Sequence, residues 1–149
     1  EYVLFGASLR RQGTIKEFYK TLNTDTKRVS LIVVPLPPTV IHILWNVLHV
    51  VPVEWFIGTV DVFWSSDWTQ PPLAHAKGVT TIHDLAVFRF PKEHDTHIVD
   101  VQRKRLAHAT HECTAFFCDS EATRHDARAM LGIPLNKLHV IYPGYTPFV

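Results

Sequence analysis

Hydrophobic residues in this chain arrive in short continuous runs, each closed by polar residues, Gly or Pro. Six such runs stand out: Tyr2–Ala7, Val29–Pro35, Val60–Ser66, Val79–Leu85, Thr114–Ser120 and Leu138–Gly144. None shows the strict in–out alternation of a half-exposed antiparallel sheet, so they predict buried parallel strands. Helical patterns lie between them. Ile15 to Leu22 is a short amphipathic stretch, and Ile41 to His49 is mostly apolar and bracketed by Pro37, Pro38 and Pro52. Between Thr96 and Thr110, Ile98, Val101, Leu106 and Ala109 fall near one stripe, with Arg103 and Lys104 facing away. The segment Glu121 to Leu131 carries the fullest set of end signals. Ser120 is placed to cap it, Glu121 suits the positive end of the helix dipole, and Gly132 and Pro134 stop it. Strands alternating with helices predict an α/β fold, a Rossmann-like parallel sheet flanked by helices.

Composition narrows this only slightly. The 149 residues are 46% hydrophobic and 19% charged, an ordinary globular balance for one domain. A net charge of +1 gives no global attraction to nucleic acid, and no nucleic-acid partner is expected. No apolar run approaches the roughly 20 residues that span a bilayer. Two cysteines make no disulfide framework, so a reduced, cytoplasmic setting is the default. Neither G-x-G-x-x-G nor a P-loop is present to cradle a phosphate.

Candidate chemistry collects at strand ends, where open parallel sheets bind ligands. In "IHDL", His83 and Asp84 follow an apolar run; the plain alternative is that Asp84 caps a turn. In "CDS", Ser120 sits at a strand end and a helix N-terminus, where N–H groups favour an anion; simple capping is its plain role. In "FWSSDW", Ser66, Asp67 and Trp68 offer hydroxyl, carboxylate and aromatic face, a set that suits a sugar, while Trp64 reads as core. His94, His97, His108, His111, Cys113 and Cys118 are a tempting metal set. The odd offset of the two cysteines predicts opposite strand faces, so they read as small buried hydrophobes and no metal is expected. Arg10, Arg11, Lys16, Lys20, Lys27 and Arg28 form a basic stretch with Phe18, Tyr19 and Leu22 interleaved. A solvated helix face accounts for it, with weak contact to an anionic membrane surface as the other reading.

Taken in order, "LWNVLHVVPVEWFIGTVDVFWSSDWTQPP", "VTTIHDLAVFRFPKEH" and "FFCDSEATRHDARAMLGIPLNKLHVIYPGY" resemble the N-terminal domain of the family-four retaining glycosyltransferases of the GT-B fold. The likeness is good from Trp45 to Gly144 and loose before that. It implies one half of a two-domain enzyme, in which this half holds a sugar or lipid-linked acceptor and a second domain holds a nucleotide-sugar. The nucleotide-sugar is a co-substrate, and no cofactor or divalent metal is implied. His83 would be the catalytic cleft histidine, Asp84 would orient the loop, and Ser120 would lie at the acceptor or phosphate side. The resemblance also implies a partial domain: a first strand with a Gly-rich loop, and the donor domain, are expected but absent from these residues. Thr146 stands where the family has Asp or Asn. The expected setting is cytoplasmic, peripheral at the inner membrane face, with self-association through the open cleft and no sugar transfer by this segment alone. A non-catalytic, flavodoxin-like binding module is the alternative. A Glu–seven–Glu motif further along the gene would decide for the enzyme.

Overall fold

The structure is a computed structural model that describes residues 1–22 and 28–144. Lys27 and Thr146 lie outside the described residues. All six apolar runs form strands, and every strand pair is parallel. In chain order the elements are β1 (Tyr2–Ala7), α1 (Gln12–Thr21), β2 (Val29–Val34), α2 (Pro38–His42) and α3 (Glu54–Ile57). There follow β3 (Val62–Ser65), β4 (Lys77–Ile82), α4 (Ala86–Arg89), α5 (Thr96–Glu112), β5 (Cys113–Cys118), α6 (Glu121–Leu131) and β6 (Leu138–Val140). The expected single sheet is divided: β1 pairs only with β2, and β3-β4-β5-β6 form a separate ladder. The fold class stands, an α/β Rossmann-like arrangement of parallel strands and helices.

Local sequence explains the elements that hold the site. Ser120 caps α6 by accepting the Thr123 N–H at 3.1 Å, and Gly132 ends it with φ 69° and its own N–H on the Arg128 carbonyl. That conformation is left-handed, which glycine adopts without a Cβ penalty. Asp95 caps α5 through the His97 N–H. The helix runs directly into β5 with Cys113 already extended. Beyond Pro38, α2 widens into a π-helical turn over Ile43–Val47.

Two apolar clusters hold the layers together. One joins Ile82, Leu106, Ala109, Phe116, Ala127 and Leu138 across β4, β5, β6, α5 and α6. The other packs Ile41, Trp45 and Val53 against Phe5, Phe56 and Phe63, so it touches both sheets. Two expectations fail on packing. Ile98 stands 36% exposed and its neighbour Val99 is buried in its place, while Val101, Leu106 and Ala109 are buried as expected. Trp64 is not core; it is 62% exposed, donates to Thr81 Oγ1 at 3.2 Å and meets Phe117 edge-on. Cys113 and Cys118 are buried in the first cluster. A register shift between Gly78 and Val79, opposite Cys113 and Ala115, interrupts the simple alternation that predicted opposite faces for them.

Candidate functional site

The carboxyl ends of β3, β4 and β5 meet at His83. Its Nδ1 lies 2.7 Å from Asp119 Oδ2, and its Nε2 lies 3.1 Å from Asp67 Oδ2. Nδ1 is hydrogen-bonded to Asp119, and the Asp67 carboxylate faces the other ring nitrogen as a charge neighbour. Two carboxylates on either side favour the protonated ring. The hydrogen bond to Asp119 raises its pKa most; partial burial opposes this, and the charges of Asp67 and Asp119 add to the rise. The side chain remains 54% exposed, so the ring is presented to solvent rather than entombed.

Beneath this pair lies Arg105, only 2% exposed. Its Nε donates to the Ser66 carbonyl at 3.0 Å, and one terminal nitrogen donates to Thr80 Oγ1 at 2.6 Å and the Thr81 carbonyl at 3.1 Å. The same nitrogen is 4.0 Å from Asp67 Oδ1. Burial lowers the Arg105 pKa and Asp67 raises it. A guanidinium stays charged even so. Gln102, one turn earlier, donates to the Asp67 carbonyl at 2.7 Å. The loop after β3 is thus fixed from below by α5. Asn46 fixes it from the side, donating to the Trp68 carbonyl at 2.7 Å and accepting the Gln70 N–H at 3.0 Å.

A cavity of about 220 Å³ opens here, lined by Asp67, Trp68, His83, Asp84, Gln102 and Arg105 among others. Trp68 stands 56% exposed at its rim. The wall therefore carries an aromatic face, a carboxylate and an imidazole, groups that suit the C–H face and hydroxyls of a polyol.

The sequence candidates divide into those that face this cavity and those that support it. His83, Asp67 and Trp68 come together at it. Asp84 lines it too, but its Oδ1 accepts the Ala86 N–H at 2.8 Å, which is a turn cap. Ser66 lies behind the loop, its Oγ accepting from the N–H groups of Trp68 and Thr69. Ser120 is a helix cap one step removed: Thr123, which it bonds, donates to the His83 carbonyl at 3.0 Å. Asp119 and Arg105 were missed. Asp119 is the first residue after β5 and adjoins Ser120 in "CDS", so its position was in view. Arg105 follows Arg103 and Lys104, which read as facing solvent, and nothing in the local pattern sets it apart from them. Among the described residues no three His, Cys, Asp or Glu side chains are grouped to hold a metal ion. His108 is stacked on His49 at 3.8 Å between ring centres and bonds to the Asn46 carbonyl. Burial pushes the Cys113 thiol to about 12 and the Cys118 thiol to about 11, so neither is a nucleophile at neutral pH.

Fold and site together define an α/β domain of parallel strands with a polar cleft at the carboxyl edge of its sheet. The sequence pattern of Glycosyltransferase Family 4 matches residues 7–147, and the chain belongs to that family. No curated protein and no solved structure matches it. No helix among the described residues is long and apolar enough to cross a membrane.

Proposed function

We propose that this chain is the acceptor-side half of a retaining glycosyltransferase and that the cleft at His83 holds the reacting hydroxyls. The observation that carries the reading is His83, exposed between the carboxylates of Asp67 and Asp119 at the rim of a cavity beside Trp68. Asp119 makes the shorter contact and anchors the ring. Asp67 makes the longer one and is itself 46% exposed, so a hydroxyl can exchange with it at Nε2. In that pose the imidazolium donates to the sugar or acceptor oxygen, and Asp67 accepts a neighbouring hydroxyl. Trp68 covers the apolar face of the ring.

The donor is a nucleotide-sugar held by a second domain. There the bond from the anomeric carbon to the diphosphate oxygen breaks, and a bond to the acceptor oxygen forms with retained configuration. The acceptor proton is lost and the leaving diphosphate takes the negative charge. Cationic groups must be preorganised around that diphosphate, and this cleft offers mainly a single imidazolium already shared by two carboxylates. Residues 1–149 alone are accordingly inactive, though able to hold an acceptor weakly.

The test is steady-state kinetics of the full-length enzyme. His83→Ala is expected to lower kcat roughly 10²-fold or more, the cost of losing a positioned reacting group. Unchanged kinetics would return His83 to a purely structural role. Sugar transfer, or tight nucleoside diphosphate binding by calorimetry, from residues 1–149 alone would show that the donor site lies on this half.

A further inference from the structure

Behind the cleft wall, three histidines gather around one buried asparagine. The Asn46 side-chain oxygen accepts the Gln70 N–H, and its nitrogen donates to the Trp68 carbonyl, so this one residue pins the middle of segment 66–73. We propose that His42, His49 and His108 make the pin an acid-sensitive latch, which holds the wall while the rings are largely neutral and releases its centre when they are protonated together.

The hydrogen bonds set the protonation that the closed latch needs. With the Asn46 oxygen committed to Gln70, its nitrogen is the end that faces His42 Nδ1, at 3.2 Å. An amide nitrogen only donates, so Nδ1 accepts, and a proton placed there would set two donors against each other. His108 Nε2 lies 3.1 Å from the Asn46 carbonyl, so that nitrogen carries the proton of the neutral ring. The His108 ring lies flat on His49, 3.8 Å between centres. His49 reaches the Trp45 carbonyl through Nδ1 at 3.0 Å and Glu112 Oε1 through Nε2 at 2.9 Å. One positive charge on this stack is matched by Glu112; a second is not, and like charges so close repel. Burial lowers the His108 pKa most and His49 lowers it further, as does His111, against the Asn46 carbonyl and Glu112. On its other side His42 meets His97, 6.1 Å between ring centres, and Asp100 is the charge near both.

The turn beside the latch is strained. His49 and Val51 both have left-handed backbone, with φ of 51° and 66°. That region is uncommon for any side chain and an outlier for a β-branched one. It persists where contacts over-determine it. Here those are the two His49 bonds and the Trp45 indole N–H on the Val51 carbonyl at 3.0 Å. When His49 and His108 part, the turn relaxes and Asn46 moves with it. The ends of the wall do not depend on the rings: Gln102 and Arg105 keep the carbonyls of Asp67 and Ser66, and Glu112 keeps the Leu73 N–H with its other oxygen. The latch belongs to the wall itself and acts whatever the cleft binds.

The direction follows from linkage. The closed form holds the His108 pKa below its ordinary 6.5, so opening is favoured as pH falls below that value. His83, whose pKa is raised, titrates at the other end of the range.

NMR on this chain tests the latch, by amide exchange and histidine titration between about pH 7.5 and about pH 5. Protection of the Gln70 amide, corrected for intrinsic exchange, should fall roughly tenfold or more, with a midpoint below 6.5 that coincides with titration of the His108 ring. The amides of His75 and Ala76, held by Glu54, should stay protected. The double variant His42→Gln, His108→Gln has a neutral amide at both positions and should keep Gln70 protected throughout. Three results overturn the proposal. One is Gln70 protection that does not change with pH. Another is a loss that follows His83 above 6.5, or that takes His75 and Ala76 with it. The third is a loss as large in the double variant as in the wild type. Should the double variant not fold, the coincidence of the Gln70 and His108 midpoints in the wild type decides alone.

Discussion

Glu54 makes a quantitative prediction about what holds the chain where it enters β4. From the first turn of α3 its carboxylate accepts the N–H groups of Ala74, His75 and Ala76, all at 3.0 Å, and so clamps the loop that enters β4. Burial raises its pKa, but the three backbone donors outweigh burial and bring it from 4.5 to about 2. At about 1.4 kcal/mol per tenfold change in proton affinity, that drop corresponds to at most about 3 kcal/mol. Glu54 is only partly buried, and solvent screening reduces the figure to about 1–2 kcal/mol. The folded pKa is the lower one, so this stability is present above pH 4.5 and is lost as pH falls toward 2. Other carboxylates titrate in the same range, so the informative quantity is the difference between wild type and Glu54→Gln. Urea unfolding at pH 7 should show the variant less stable by about 1–2 kcal/mol, and the gap should close progressively between pH 4.5 and the lowest pH at which both proteins fold. A gap that stays constant from pH 7 to pH 3 would refute the reasoning, because the clamp would then owe nothing to ionisation.

Three further outcomes follow from the site and its supports. Asp119→Asn should lower the His83 pKa toward its ordinary value, read by imidazole proton shifts in an NMR titration; an unmoved midpoint would remove Asp119 as the anchor. Arg105→Met should cost about 3–5 kcal/mol in chemical unfolding, since it leaves Thr80 Oγ1 and the Ser66 and Thr81 carbonyls without their donor beside a half-buried Asp67. A loss below 1 kcal/mol would mean that water replaces the guanidinium easily. Gly78→Ala should cost about 1–3 kcal/mol, because its Cβ would meet the Glu112 carbonyl oxygen and Leu73 Cδ1 at 2.8 Å; a thermal melt with unchanged Tm would show that the β4–β5 edge yields.

Much of the fold was written in local pattern. Each apolar run became a strand, because continuous β-formers are enough to specify one, although β1 and β3 are largely unburied where buried strands were expected. α6 could be read end to end from Ser120, Glu121 and Gly132, since caps are local chemistry. α3 and α4, at four residues each, were too short to carry a period. The division of the sheet was invisible, because pairing between strands far apart in sequence leaves no local mark. The site was legible by position: strand ends gave His83, Asp67 and Trp68. It was not legible by partnership. Which carboxylate grips His83 depends on β5 lying beside β4. Arg105 carried no local mark, because charge on a helix is ordinarily solvated, and only the tertiary supply of Ser66, Thr80 and Thr81 oxygens makes its burial tolerable.

The grip of α5 on the segment that follows β3 decides what can move when substrate arrives. Gln102 and Arg105 bond the carbonyls of Asp67 and Ser66, and ten residues further along Glu112 accepts the Leu73 N–H at 3.2 Å. Asn46 pins the middle. Residues 66–73 are therefore tied down at both ends and at the centre, over a helical span of roughly 15 Å. Such a segment is a doorpost and not a door. If the cleft holds a sugar as proposed, any closure over it comes from something that swings against this wall and not from residues 66–73.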